Sequence, residues 1–231
     1  MSRTLVFTRE QLRAPFTLVL LIGVPVLFVV SAAGVLSDFA RALGGSLTGN
    51  AAVGLSAGWA AAFLSGALGF FAASSSRAAD RRLALAGLGP ARVALSRIVA
   101  SIALATIASV AAFAALEARS AIAHPWHTAL AVIAFGWLYL GVGVLVGSII
   151  TDTLEGSLIV VFIFMLDVFS GPGMSTTAAP WAISRKAADV LIAAGLGRPS
   201  PSRDWIALGL TTAVALAAAF VVFVVSARRR S

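Results

Sequence analysis

TALAVIAFGWLYLGVGVLVGSII, the stretch Thr128–Ile150, is a run of 23 residues without a charged side chain. A helix needs about 20 apolar residues to cross the hydrocarbon core of a bilayer, because each residue rises about 1.5 Å along the helix axis. The run is therefore long enough to span a membrane. Its length predicts a transmembrane helix rather than a buried strand or a short core helix.

Further apolar stretches make this the pattern of the whole chain, which is predicted to be an all-α, polytopic membrane protein with six transmembrane helices. The composition agrees, with 60% hydrophobic and only 11% charged residues, whereas soluble domains carry about 25% charged residues. We expect a single membrane domain over residues 1–231. The other five stretches are Phe16–Leu36, Ala51–Ala73, Ala94–Leu116, Leu158–Ser170 and Trp205–Ser226.

Charge and cysteine content exclude several classes of protein. The chain has no cysteine, so disulfides and thiolate metal sites are excluded. The net charge of +8 comes from arginines near the span ends, where they set topology and contact anionic lipid rather than nucleic acid. Abundant arginine with a single lysine is typical of a GC-rich bacterial genome. We therefore expect the protein in a bacterial cytoplasmic membrane.

The distribution of basic residues predicts that both termini are cytoplasmic, because cytoplasmic loops carry an excess of arginine and lysine. One exception is the segment 171–204, which would be external and yet contains four basic residues. The arginines that carry the prediction lie before the first span, between the second and third spans, and in the tail: Arg3, Arg9, Arg13, Arg77, Arg81, Arg82, Arg92, Arg97 and Arg228 to Arg230.

The N-terminal region allows a second interpretation as a secretory signal peptide, with Val30-Ser31-Ala32 as the cleavage site. The apolar run continues past that site to Leu36, which favours a membrane span. Residues 1–15 mix apolar and basic side chains, so they are predicted to form either a short interfacial helix or a polar tail on the cytoplasmic side.

The fifth span is short and is followed by a broken segment. Asp167 interrupts its apolar run, and Ser170-Gly-Pro-Gly173 then ends any helix. Residues 181–195 are predicted to form an amphipathic helix at the outer interface, beginning near Pro180 and ending near Gly195 and Gly197. Its apolar face would consist of Ile183, Ala187, Val190, Leu191 and Ala194.

Small residues recur every four positions along two of the spans. They are Gly54, Gly58, Ala62 and Gly66 in the second span, and Gly143 and Gly147 in the fourth. Because such faces let helix backbones approach closely in lipid, they predict packing positions.

The loop 74–90 is the most informative polar stretch. It reads SSSRAADRRLALAGLGP, which predicts a short helix with a basic surface and exposed leucines, followed by a turn. Such a surface suits docking into a groove on another protein. An ordinary arginine-rich cytoplasmic loop remains the alternative.

Taken together, the order of these parts resembles the permease (transmembrane) subunit of type-2 ATP-binding-cassette exporters. Residues 1–15 resemble the N-terminal elbow helix of that family. AAFLSGALGFFAASSSRAADRRLALAGLG, at residues 61–89, resembles its second span and coupling helix, and FMLDVFSGPGM, at residues 164–174, resembles its fifth span and external break. The likeness covers nearly the whole chain by architecture.

The resemblance implies that two permease subunits pair, as a homo- or heterodimer, above separate ATPase subunits that hold ATP and magnesium. This chain would then need no cofactor of its own. The implied elbow residues are Arg9 and Arg13, and the implied ATPase-coupling residues are Asp80, Arg81, Arg82, Leu83 and Leu85.

The residues within the spans suggest a substrate path past Asp167, Phe70 and Phe164. Asp167 could instead cap the broken helix ends or pair with Arg185, and the phenylalanines could simply face lipid. The short external loops favour an amphiphilic or hydrophobic small molecule as cargo. The alternative is a six-span carrier or membrane scaffold without an ATPase partner.

Enzymatic activity is not expected in this chain. It has no Gly-x-x-x-x-Gly-Lys-Ser/Thr motif to hold nucleotide phosphates. Intramembrane proteolysis would need a histidine facing a serine, or two carboxylates, within the bilayer. His124 and His127 lie in a short loop instead. They could hold haem or a metal, but beside Trp126 they equally suit a polar loop anchored at the lipid headgroups.

Overall fold

The computed structural model describes residues 15–47, 49–75, 90–150, 152–174, 179 and 181–228. Over these ranges the chain is all-helical, without β-strands, and six of its seven helices are long and apolar enough to cross a membrane. The predicted all-α class and the six apolar helices of membrane-spanning length are therefore confirmed for the described residues. The helices are α1 Pro15–Ala42, α2 Gly49–Ser75, α3 Pro90–Arg119, α4 Pro125–Ile149, α5 Thr153–Ser170, α6 Arg185–Gly195 and α7 Ser202–Arg228.

Several helices extend past the apolar runs that predicted them. Helix α1 continues to Ala42 rather than ending at Leu36, and the charged residues of this extension, Asp38 and Arg41, form an exposed ion pair one turn apart. Because such a pair supports a helix in water, the helical conformation does not have to end where the apolar residues do.

Helices α2 and α4 form the centre of the bundle and run parallel to each other. Of the residues in the most apolar segment of each helix, 72% are buried in α2 and 67% in α4. The corresponding share is only 22% in α1, 22% in α7 and 28% in α5. The three outer helices therefore turn most of their apolar side chains away from the protein. In a bilayer these side chains would face lipid.

Close backbone contact joins α2 to α4 at their glycines, as the small-residue pattern predicted. A Cβ on Gly147 would lie 2.6 Å from the carbonyl oxygen of Phe70, and one on Gly143 would overlap the carbonyl oxygen of Gly66. A Cβ on Gly69 would lie 3.0 Å from the backbone nitrogen of Val144. The distance between the two central helices therefore depends on the absence of side chains here.

The break after α5 packs against the connection between α1 and α2. Helix α5 ends at Ser170, as predicted, and Gly173 adopts a positive φ of 82°, which a residue with a side chain rarely adopts. The carbonyl of Gly173 accepts hydrogen bonds from the backbone N–H groups of Ser46 and Leu47, both at 3.1 Å. The two connections thus hold each other in place.

Helix α6 lies at one end of the bundle, which we call the α6 end. This end carries the C-termini of α1, α3 and α5 and the N-termini of α2, α4 and α7. It packs against α2, where the main-chain oxygen of Leu191 would be 3.4 Å from a Cβ on Gly54. It ends at Gly195, as predicted. Beyond it Gly197 has a φ of 65°, and the Arg198 N–H donates to the carbonyl of Ala193 at 2.8 Å, which closes the last turn.

The start and the buried face of α6 differ in part from the prediction. The helix begins at Arg185 rather than at residue 181, and Pro180 lies outside the described residues. Ile183 was assigned to the apolar face of this helix, but it precedes the helix and is 40% exposed. It lies in the turn before the helix, so the helical spacing does not apply to it. The other predicted apolar positions are buried: Ala187, Val190, Leu191 and Ala194.

Replacing Gly143 with alanine should destabilise the protein, because the new methyl group would meet the Gly66 backbone, which cannot move aside as a side chain can. Overpacking of this kind costs about 1–3 kcal/mol. We expect a lower thermal midpoint of the purified protein in mild detergent. The matched control is Gly209→Ala in α7, where a Cβ would meet nothing within 4 Å. Equal midpoints for the two variants would contradict the close contact.

Candidate functional site

The residues that the family resemblance assigns to the elbow and to ATPase coupling lie outside the described part of the chain. They are Arg9, Arg13, Asp80, Arg81, Arg82, Leu83 and Leu85. What the structure does describe is the pair of helices on either side of the loop 76–89. Helix α2 ends at Ser75 and helix α3 begins at Pro90. The three residues of the predicted substrate path, Asp167, Phe70 and Phe164, all lie within the described part of the chain.

Asp167 lies near the C-terminal end of α5 and is only 2% exposed. Its carboxylate accepts a hydrogen bond from the Tyr139 hydroxyl of α4. It also accepts from the backbone N–H of Ser184, whose nitrogen lies 3.3 Å from Oδ1 and 3.1 Å from Oδ2 of Asp167. Ser184 is the residue that immediately precedes α6. The carboxylate therefore lies at the N-terminus of α6, where the helix dipole favours a negative charge.

These hydrogen bonds tie three helices together at one buried point. A polar group in a transmembrane segment is expensive unless its hydrogen bonds are satisfied, and the Asp167 carboxylate has donors from α4 and from the start of α6. Among the described residues its hydrogen bonds go to Tyr139 and Ser184 and not to Arg185. The arrangement fixes how α6 approaches the bundle.

The two phenylalanines of the predicted substrate path are buried in the bundle. Phe164 is 3% exposed, and its ring centroid lies 5.2 Å from that of Phe63 and 5.7 Å from that of Tyr139. Phe70 is 1% exposed, and its ring lies against Gly156 at the start of α5. Phe164 and Asp167 thus both contact Tyr139, whereas Phe70 belongs to a separate cluster nearer the opposite end.

Sequence reasoning missed Tyr139 and Ser184. Tyr139 is the only tyrosine of the chain and lies inside an uncharged run, so its hydroxyl was bound to need a partner. Asp167 was the one carboxylate well within a span. The Tyr139 hydroxyl needs an acceptor and the Asp167 carboxylate needs a donor, so the two groups are complementary. Nothing in the sequence, however, indicates that α4 and α5 meet at these positions.

A few buried polar atoms in the described region have no hydrogen-bond partner. They include Trp59 Nε1, Ser65 Oγ and Ser184 Oγ. Trp59 is fully buried on α2, and its ring would lie 3.9 Å from a Cβ on Gly171, just after α5. Trp59 therefore lies close to the C-terminal end of α5, and Ser184 lies at the start of α6. The polar groups of this region thus extend beyond the Asp167 carboxylate.

A group of charges joins α6 to the start of α7. Lys186 Nζ lies 2.7 Å from an Asp204 oxygen and 3.5 Å from an Asp189 oxygen. The hydrogen bond to Asp204 raises the pKa of Lys186, so this side chain stays charged at neutral pH. Burial raises the pKa of Asp189, an effect that the neighbouring Lys186 partly offsets. Helix α6 is thus held at one end by Asp167 and on its polar face by α7.

The two histidines lie at the α6 end, in the first turn of α4 and just before it. Their ring centroids are 5.9 Å apart. Within the described ranges no three His, Asp or Glu side chains come close enough together to hold a metal ion. The possibility of a metal or haem site raised by the sequence therefore rests on two imidazoles alone, which make a weak site.

Replacing Asp167 with leucine should destabilise the protein, since it leaves the Tyr139 hydroxyl and the Ser184 N–H buried without an acceptor. Each unsatisfied group costs about 1–3 kcal/mol. Asp167→Asn, which keeps one oxygen as an acceptor, should lose less. Thermal midpoints in mild detergent measure both changes. Glu117→Gln, at an exposed position near the end of α3, serves as the control. A midpoint for Asp167→Leu equal to that of the control would contradict the proposed role of the carboxylate.

Comparison of the chain with models of protein families, with curated proteins and with solved structures finds no match. The fold and the buried Asp167 group therefore stand on the geometry of this chain alone.

Proposed function

We propose that the chain is the permease subunit of an ATP-binding-cassette exporter. It would form the translocation path, pair with a second permease subunit, and be driven by a separate ATPase. Its cargo would be an amphiphilic or hydrophobic small molecule. The observation that carries the proposal is the order of the helices: six apolar spans, with a short fifth span, a break, and a packed helix before the sixth.

The packing of α2 supports the mechanical part of the proposal. Helix α2 is continuous from Gly49, at the α6 end, to Ser75, directly before the proposed coupling loop. It is the most buried span, and it contacts both α4 and α6 through its glycines. A force applied to residues 76–89 would act on the helix with the most internal contacts. That is the connection a transport cycle driven from the cytoplasm requires.

Reversing the charges of the proposed coupling residues should separate the permease from its ATPase. In the variant Arg81→Glu/Arg82→Glu, an ATPase that carries a P-loop should no longer co-purify from native membranes in mild detergent, because its groove would meet two carboxylates instead of two guanidinium groups. Mass spectrometry of the bound chains and the ATPase activity of the eluate measure the change.

A matched control carries the same charge reversal at the α6 end, in Arg41→Glu/Arg203→Glu, where both positions are exposed. This control should retain the ATPase. Undiminished co-purification with Arg81→Glu/Arg82→Glu, or loss with both variants, would contradict the docking role of the loop.

The expected topology can be tested by labelling with thiol reagents, because the chain has no cysteine of its own. A membrane-impermeant maleimide should label Ser46→Cys, at the exposed α6 end, in intact cells. Glu155→Cys, in the exposed first turn of α5 at the opposite end, should react only after the membrane is permeabilised. The reverse pattern would place the coupling loop outside the cell and rule out the proposed function.

A further inference from the structure

A cavity of about 480 Å³ opens at the α6 end between the first turns of α4 and α7 and the C-terminal part of α6. Its described lining residues do not include Asp167, Tyr139 or Ser184, and it lies at the opposite end of the bundle from Ser75 and Pro90, so a ligand site in this cavity is independent of the proposed function. The cavity gathers several features that the sequence singled out separately, namely both histidines, a basic residue of the segment 171–204, and the end of α6.

The polar part of the cavity wall is basic. Arg198, His124 and His127 line it, and among the described residues that form the wall none carries a carboxylate. The acids next to wall residues along the chain are Asp189, before Val190, and Asp204, before Trp205, and both carboxylates pair with Lys186. An anion in the cavity would therefore meet cationic or N–H-donating groups on the wall itself.

Backbone geometry adds to this positive character. The cavity lies at the N-termini of both α4 and α7, and the first turn of each helix carries the positive end of its dipole. His124, which precedes α4, makes no side-chain hydrogen bond to that turn. The turn at Gly197 fixes the backbone of Arg198 through the hydrogen bond to Ala193. Two helix ends and one guanidinium group thus surround the same space.

The remaining wall is apolar. Leu130 of α4 and Val190 and Ala194 of α6 line it, and Val190 and Ala194 are otherwise buried. Trp205 also lines the cavity, and its ring lies 5.9 Å from that of His127, at an angle of 58°. A ligand that fits must be charged at one end and apolar at the other.

We propose that this cavity binds an anionic amphiphile, with a phosphate or carboxylate head against Arg198 and His127 and a short apolar portion against Leu130 and Val190. Two sources can supply this chemistry, an anionic phospholipid of the surrounding bilayer or a free anionic amphiphile. A metal ion fits less well, because the wall offers imidazoles without a carboxylate ligand.

Binding can be measured with dodecyl phosphate as the probe, on the full-length chain in a neutral maltoside detergent, by calorimetry and by the shift in thermal midpoint. We expect saturable binding of dodecyl phosphate, binding of inorganic phosphate at least tenfold weaker, and no saturable binding of dodecyltrimethylammonium. Equal affinity for inorganic phosphate and dodecyl phosphate would overturn the apolar part of the proposal. Saturable binding of the cation would overturn its electrostatic part.

Arg198→Gln and His127→Gln should each weaken dodecyl phosphate binding at least tenfold. The control is Arg203→Gln, which removes the same charge close by from a residue that does not line the cavity. Because partition of the probe into micelles is the same for all variants, the comparison isolates the cavity. Unchanged midpoints without ligand would show that the variants fold. Equal affinity in Arg198→Gln, His127→Gln and Arg203→Gln would overturn the proposal.

Nanodiscs distinguish the two sources. If phosphatidylglycerol is the native occupant, discs that contain it should weaken dodecyl phosphate binding relative to pure phosphatidylcholine discs, and Arg198→Gln should remove the difference. If the occupant is a free amphiphile, the two kinds of disc should give the same affinity. Absence of saturable, Arg198-dependent binding in both kinds of disc would overturn the proposal.

Discussion

The direct contact between the backbones of α2 and α4 is the constraint on which the rest of this structure depends. Apolar side chains gain little by leaving lipid for another helix, so membrane helices associate where small residues allow close packing. Gly66 and Gly143 provide that contact. Once the central pair is fixed, α1, α3, α5 and α7 each have one face available to pack on it, and the rest of their apolar surface is left for lipid.

The buried Asp167 carboxylate then determines where α6 lies. A buried ionisable side chain in a span is costly unless hydrogen-bond donors satisfy it. Tyr139 supplies one from α4, and the start of α6 supplies the other. Because α6 is held in this way, it is part of the packed bundle. Its C-terminal end consequently lies beside the first turns of α4 and α7, where the basic cavity forms.

Much of the architecture could be predicted from the sequence because it depends on local properties. Apolar length predicted the six spans, Ser170-Gly-Pro-Gly173 predicted the end of the fifth, and the spacing of Gly143 and Gly147 predicted the close contact. The errors were also local. The ion pair of Asp38 and Arg41 extends α1 beyond its apolar run, and Ile183 is exposed because the helix to which it was assigned begins two residues later.

The sequence by itself determined how many helices are long and apolar enough to cross a membrane, where the fifth is interrupted, and which helices have a face of small residues. Only the tertiary structure decided that Tyr139 and Ser184 are the donors to Asp167, and that His127, Trp205 and Arg198 surround one cavity. The physical reason is that these spans are apolar on every side. Hydropathy therefore carries almost no information about how each helix is rotated about its axis, and backbone contacts and buried hydrogen bonds fix that rotation instead.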